Sequence, residues 1–260
     1  MEPDRGRHPH LDAGVVPAVS AALLRSLHVP GRPVVLPNVW DAVSAKVFAE
    51  AGAAALATSS SAVAATLGYD DGQRMPAGEM FAAVARICRA VDVPVTADIE
   101  AGYGLSAAEL ADRLLAAGAA GCNLEDSDPA THALRDVGAQ AAWLAEVRAA
   151  AGDALVVNAR VDTFLGGRDP GPDGPIAVAV RRARAYLDAG ADCVYPILAP
   201  ADALAAFVRE VVAPVNAFHT PDGPSIADLA KLGVARITFG GGLHRRATEY
   251  VRELAADLLG

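Results

Sequence analysis

The feature that most constrains the fold of this 260-residue chain is a two-part phrase that keeps recurring. A short β-branched or apolar run is followed by about ten to fifteen alanine-rich residues with helical spacing, and then the phrase restarts. Ala51-Gly52-Ala53, Ala117-Gly118-Ala119, Ala189-Gly190-Ala191 and Leu232-Gly233-Val234 punctuate it. Each supplies the glycine that ends a helix and turns the chain into the next strand. Eight strands are predicted, over 34–39, 54–60, 94–100, 121–126, 155–162, 193–198, 215–218 and 236–240. Helices are predicted over 18–27, 42–51, 78–91, 106–117 and 243–259, among others. Strand alternating with helix argues for a parallel sheet with right-handed crossovers. Eight such units in about 230 residues fit one α/β domain, a closed (β/α)8 TIM barrel. A doubly wound open sheet is the alternative, but the Gly-x-Gly-x-x-Gly turn after its first strand is missing. The expected organisation is a leader over 1–16 and a single barrel domain over 17–260.

Composition narrows the function classes. The chain is 53% hydrophobic, 20% charged and 5% aromatic, so it has ample aliphatic material for a core and is not disordered as a whole. Net charge is 22 − 31 = −9, and no cluster of five or more Lys/Arg interrupts the acidic background. Nucleic acid and anionic membranes are therefore not expected partners. Cys88, Cys122 and Cys193 are far apart and form no Cys-x-x-Cys pair, which fits a reducing compartment and excludes a disulfide framework. The start, Met1-Glu2-Pro3-Asp4-Arg5, lacks the basic-then-apolar order of a secretory signal, and no apolar run approaches the ~18 residues that span a bilayer. A cytoplasmic location is the expectation.

In a barrel of this kind the chemistry sits at the C-terminal ends of the strands. Thr96, Asp98 and Glu100 share parity in the third strand, as do Asn123 and Glu125 in the fourth and Asn158, Arg160 and Asp162 in the fifth. Their neighbours Ala97, Ile99, Leu124, Ala159 and Val161 are apolar and suit the helical layer, so the polar set is expected to face the barrel axis near its mouth. Burying Asp98, Glu100 and Glu125 together against one cation, Arg160, costs several kcal/mol or forces protonation. A divalent cation resolves this, and all-oxygen ligands point to Mg2+, with Mn2+ as a substitute. The competing reading is an ion-pair network filling the barrel around Arg160.

Other polar segments are less specific. The loop 67–73 contributes Asp70 and Asp71, within water-mediated reach of such a metal, and 127–132 is a candidate lid; either can equally be an exposed turn. Thr58-Ser59-Ser60-Ser61 offers hydroxyls and amide N–H groups to an anion, although serines also cap helices. Gly240-Gly241-Gly242 fits a tight turn into the last helix better than a phosphate cradle.

The segments Pro37-Asn38-Val39-Trp40-Asp41-Ala42, Asp98-Ile99-Glu100-Ala101-Gly102-Tyr103-Gly104, Asn123-Leu124-Glu125-Asp126-Ser127 and Asn158-Ala159-Arg160-Val161-Asp162 occur in order and with barrel spacing. Through them the chain resembles the isocitrate lyase/phosphoenolpyruvate mutase superfamily from about Val34 to the C-terminus. The resemblance implies a (β/α)8 barrel whose last helix is commonly exchanged within a dimer or tetramer. It also implies chemistry that makes or breaks a C–C or P–C bond beside a carboxylate, through an enolate stabilised by Mg2+. Asp98 then matches the principal metal ligand, Glu125 a second one, and Asp71 the acid of the early loop. Glu100 stands where many members have a second aspartate. Arg160 is similar to the arginine that contacts the substrate carboxylate or oxyanion. Ser59 and Ser60 match carboxylate-binding positions, and Asn38, Asp41, Asn158, Tyr103 and His219 are the remaining candidates for substrate contact.

One departure matters. Lyase members carry a Lys-Lys/Arg-Cys-Gly-His type loop after the fourth strand, whereas residues 128–135 read Asp-Pro-Ala-Thr-His-Ala-Leu-Arg, without cysteine. Cys122 has the wrong parity to replace it, Cys88 lies on a helix, and Cys193 starts the sixth strand at the far end. The chain therefore resembles a branch closer to the mutases, and a standard isocitrate or methylisocitrate lyase is not expected. His132 and His219 are candidate proton donors, with a surface or packing role as the alternative for each. The leading expectation is a Mg2+-dependent lyase or decarboxylase acting on a small 2-oxo or 2-hydroxy carboxylate. The alternatives are phosphoenolpyruvate/phosphonopyruvate mutase or hydrolase chemistry, and a barrel that binds a carboxylate without turning it over.

Overall fold

The computed structural model describes residues 16–166 and 172–260; the expected leader over 1–16 lies outside the described residues except for Val16. The chain begins with α1 (Val16–Ser26), β1 (Val34–Val35), β2 (Asn38–Val39), α2 (Ala42–Glu50), β3 (Leu56–Thr58), α3 (Ser60–Thr66) and α4 (Ala77–Cys88). It continues through β4 (Val95–Asp98), α5 (Ala107–Ala116), β5 (Gly121–Glu125), α6 (Val137–Ala151), β6 (Val156–Val161) and α7 (Gly174–Asp188). It ends with β7 (Cys193–Pro196), α8 (Ala201–Val211), β8 (Asn216–Phe218), α9 (Ile226–Lys231), β9 (Arg236–Thr238) and α10 (Gly242–Leu259).

Every ladder is parallel. Six strands run in the order β2-β3-β4-β5-β6-β7, and three in the order β1-β9-β8. These two sheets are joined on both sides. The predicted strand 34–39 is split between them, its first half pairing with β9 and its second with β3. The split falls at Pro37, which has no N–H to donate, although its carbonyl still accepts from Ala57 N–H at 3.0 Å. On the other side Val194 bridges Val215, and Val194 N–H donates to Pro214 O at 3.1 Å. The result is the expected ring of eight strand positions, with its thinnest seam between β7 and β8.

Strand alternation sorts the side chains as the sequence pattern requires. Ala97, Ile99, Cys122, Leu124, Ala159 and Val161 are buried in the layer between sheet and helices, so the Cys122 thiol is directed away from the barrel axis. Helices bury matching faces. In α5, which starts at a Ser106 cap accepting from Glu109 N–H, Ala107, Leu110, Ala111 and Leu114 recur at three- and four-residue spacing and are buried. The N-terminal end of the barrel is closed by α1, whose Leu24 packs with Leu36, Ala57, Ala120 and Val156. Inside the barrel, Asn123 Oδ1 accepts from Asn158 Nδ2 (2.8 Å) and from the wholly buried Arg236 Nη2 (3.1 Å). At the opposite end of the sequence, α10 contains no buried residue, and Tyr250, Val251, Leu254, Leu258 and Leu259 are exposed along it.

Candidate active site

Asp98 is the last residue of β4 and stands at the mouth of the barrel. Its backbone N–H donates to Thr58 Oγ1 at 2.8 Å, which ties the end of β4 to the end of β3. Its Oδ2 accepts from Ser60 N–H (3.2 Å) and Ser60 Oγ (3.1 Å). Its Oδ1 is buried and has no hydrogen-bond partner. The proposed anion cradle is thus partly occupied from within: Ser60 serves Asp98, while Ser59 caps α3 by accepting from Ala62 N–H (3.4 Å). Asp71 lies on the exposed segment between α3 and α4. Desolvation first, and then the charge of Asp98, hold its carboxyl above the usual range, against hydrogen bonds from Gly72 and Ser60.

Glu100 is a correction to the alternation argument. Strand β4 ends at Asp98, and Glu100 adopts φ 50°, a left-handed conformation that L side chains rarely take. Parity therefore does not carry from Asp98 to Glu100. Both Glu100 oxygens have neighbouring donors: Oε2 accepts from Gln73 N–H and Oε1 from Tyr103 OH, each at 2.8 Å. Gln73 (φ 59°) and Tyr103 (φ 55°) are left-handed too, so the acid clamps two strained loop segments together. Tyr103 meets Glu100 in this arrangement rather than standing open as a ligand cover. Burial pushes the Glu100 carboxyl up to about 7, with Asp71 and Asp98 adding to the rise.

Across the mouth, Arg160 of β6 is held by two carboxylates. It forms an ion pair with Glu125 at the end of β5, and donates through Nε (2.6 Å) and Nη2 (2.9 Å) to Asp162. The ion-pair reading of the sequence is therefore present at Arg160. Burial drives the Glu125 carboxyl up to about 8 despite Arg160, with Asp162, Asp98 and Glu100 adding to the rise. Ser127 Oγ also donates to Asp162. Behind this pair lies a group that sequence reasoning missed. Asp126 accepts Asp162 N–H at Oδ1 (2.8 Å), and Arg182 Nε (2.8 Å) and Tyr186 OH (2.7 Å) at Oδ2. The available signal was a buried arginine and tyrosine four residues apart on α7, among Val178, Ala179 and Ala183.

The remaining candidates fall in different places. Asn38 donates to Thr58 O (2.8 Å) and accepts from Phe239 N–H (2.7 Å), so its amide joins neighbouring strands across the split first strand. Asp41 is the N-cap of α2, in a reciprocal capping box in which its Oδ1 accepts from Ser44 N–H (2.7 Å) and its own N–H donates to Ser44 Oγ (3.1 Å). Asn158 lies deeper in the barrel, on Asn123. His132 is exposed with φ 58°, its backbone N–H bound to Asp128 O (2.8 Å), and its ring makes no hydrogen bond among the described residues. Its loop is folded rather than open, with an antiparallel bridge between Ser127 and Leu134. His219 packs on Phe239 (5.3 Å between rings) and lines a cavity of about 350 Å3 with Pro221, Leu243, Arg245 and Glu249, a lining that includes none of Asp71, Asp98, Glu100 and Glu125.

Among the described residues no three His, Cys, Asp or Glu side chains form a ready-made metal cage. The donor set nevertheless fits Mg2+. That ion is commonly held by one or two carboxylates with water completing its octahedron, and the unpartnered Asp98 Oδ1 is a hard oxygen at the barrel mouth. After desolvation, the charge of Asp98 raises the pKa values of Asp71, Glu100 and Glu125, with Asp71 adding to the rise at Glu100 and Glu100 to that at Glu125, the electrostatic signature of a place that favours added positive charge.

Residues 24–259 match the family model described as phosphoenolpyruvate phosphomutase. A solved structure titled a putative phosphonomutase from Burkholderia cenocepacia J2315 is 42% identical, covers 91% of this chain and 99% of its own, and superposes with a TM-score of 0.85. A Mycobacterium tuberculosis protein described as uncharacterized is 37% identical over 82% of this chain and 80% of its own length. The structure of 2,3-dimethylmalate lyase, described as a PEP mutase/isocitrate lyase superfamily member, is 26% identical, with a TM-score of 0.80 over 94% of this chain and 87% of that one.

Proposed function

From the premise that this chain belongs to the phosphoenolpyruvate phosphomutase family, within the PEP mutase/isocitrate lyase superfamily, we propose that it is a Mg2+-dependent lyase or decarboxylase. Its substrate is a small 2-oxo or 2-hydroxy carboxylate whose C–C bond breaks next to the carbon that becomes an enolate. The observation that carries the reading is the buried, unpartnered Asp98 Oδ1 at the strand ends, facing acids of raised pKa. Asp98 would hold the metal, with Glu125, Asp71 and Glu100 joining through water or after rearrangement. Mg2+, when bound, supplies Lewis-acid stabilisation of the negative charge that develops on the substrate oxygens.

The protein's own groups do the rest. Arg160 is the cation at the mouth that can meet a substrate carboxylate, and Asp162 fixes the plane of its guanidinium through two hydrogen bonds. Ser60 orients Asp98, and the Glu100–Tyr103 and Glu100–Gln73 bonds hold the loops that exclude water. His132 or His219 is assigned the proton donation for which this chain has no loop cysteine. The exposed apolar residues of α10 support a homo-oligomer, a dimer or tetramer, in which that helix is covered by another subunit.

A phosphonopyruvate mutase or hydrolase is the second reading, favoured by the printed description of the 42% identical structure. One assay panel separates the two. Oxaloacetate, phosphonopyruvate, 2-methylisocitrate, isocitrate and dimethylmalate are incubated with Mg2+, and pyruvate, glyoxylate, phosphate and phosphoenolpyruvate are measured. Release of a C–C cleavage product that stops with EDTA and returns with Mg2+ is expected. Conversion of phosphonopyruvate alone, to phosphoenolpyruvate by a mutase or to pyruvate and phosphate by a hydrolase, establishes the second reading, and turnover that survives chelation overturns the metal assignment.

A further inference from the structure

We infer that Arg182 is a positioning residue for the proposed site: from α7 it sets the orientation of Arg160 through Asp126 and Asp162. The inference deepens the reading of Arg160 given above and rests on it.

The chain of contacts is continuous. Arg182 is buried and reaches in two directions, with Nε to Asp126 Oδ2 (2.8 Å) and Nη2 to the carbonyl of Arg135. Arg135 N–H in turn donates to Asp126 O (2.9 Å), so the two ends of the 126–135 segment are fastened to each other and to α7. Tyr186, one helical turn beyond Arg182, adds a second donor to the same Asp126 oxygen. The other Asp126 oxygen receives the backbone N–H of Asp162, and the Asp162 carboxylate receives Nε and Nη2 of Arg160. Asp126 and Asp162 are both fully buried, so neither can turn to water if its partner moves.

Charge makes the coupling directional. Asp126 and Asp162 are two buried carboxylates that raise each other's energy, and Arg160 and Arg182 are the two guanidiniums that balance them. Without Arg182, Asp126 Oδ2 keeps the Tyr186 hydroxyl but loses the guanidinium, and the Arg135 carbonyl loses its tie to α7. The Asp126 carboxylate is then no longer held against α7 in the position that receives Asp162 N–H, and the turn at 162–164 that presents Asp162 to Arg160 loses its anchor. Lysine at 182 restores the charge but cannot serve Asp126 and the Arg135 carbonyl at once.

The test reads Arg160 itself. In protein labelled with 15N-arginine, the Arg160 Nε–H signal is identified by its loss in Arg160→Lys, and its exchange with solvent is measured in wild type, Arg182→Met and Arg182→Lys. Arg182→Met is expected to speed that exchange about tenfold, and Arg182→Lys to fall between, since loss of one well-placed hydrogen bond is worth about that factor. Calorimetry with oxalate and Mg2+ is expected to show affinity reduced about tenfold in Arg182→Met, with Mg2+ alone binding as in wild type. Unchanged Arg160 exchange in folded Arg182→Met overturns the inference. If wild type binds no oxalate with Mg2+, the functional reading fails, while the exchange measurement still decides the coupling. If Arg182→Met does not fold, Tyr186→Phe removes one bond to Asp126 and no charge. A rise of about threefold in exchange supports the inference, and no rise overturns it.

Discussion

At the scale of the residue, the site is a contrast between the two oxygens of Asp98. One is fixed by Ser60 and the other is buried without a partner. Asp98→Ala is therefore expected to abolish Mg2+-dependent oxalate binding; calorimetry showing unchanged binding removes Asp98 from the metal shell. The sequence names both Asp98 and Glu100; alternation gives the face of Asp98 because it holds up to the end of β4, and not that of Glu100, because the strand stops two residues earlier. Asp126 was passed over for a related reason. Its parity is opposite to that of Glu125, which suggests the helical layer, and it does face that layer, where Arg182 and Tyr186 receive it. Burial also gives a pH prediction. Glu100 and Glu125 have folded pKa values of about 7 and about 8, above the ordinary 4.5, so the folded state binds more protons than the unfolded one across that window. Stability contributed by these groups then falls as pH rises from about 5 to about 8. Thermal melts of metal-free protein are expected to show a shallower decline for Glu125→Gln than for wild type, and equal slopes contradict the shift.

At the scale of the element, loops decide what the strands can present. The turn after β4 depends on Gly102, which has φ 89° and would place a Cβ 2.7 Å from Trp143 Cζ2. Gly102→Ala is expected to cost about 1–3 kcal/mol through backbone strain and the displaced indole, read by urea denaturation. Loss of stability below the range expected for either effect contradicts the packing described here. A Cβ at Gly240 would lie 2.7 Å from Phe218 Cε2 and one at Gly241 2.9 Å from Ser61 Oγ, which accounts for these two glycines before α10 as close packing. The repeated strand–helix phrase made the ring legible, and the terminal glycines placed its turns. The details of 126–136 were not legible, because Asp128 and Thr131 organise that loop through side-chain-to-backbone bonds that carry no periodicity.

At the scale of the whole molecule, α10 is the element left without a core. An eighteen-residue helix with no buried residue and an apolar stripe through Tyr250, Val251, Leu254 and Leu258 predicts association. Sedimentation of wild type is expected to give a dimer or tetramer, and Leu254→Asp with Leu258→Asp a smaller species; a wild-type monomer contradicts that assignment. Among the described residues no helix is long and apolar enough to cross a membrane. The central claim is that the strand ends around Asp98 hold a divalent cation opposite Arg160. Anomalous diffraction from crystals grown with Mn2+ and oxalate tests it most directly. The account predicts a single strong peak on Asp98 Oδ1, with oxalate between the metal and the Arg160 side of the mouth; a peak elsewhere, or oxalate bound without metal, contradicts it.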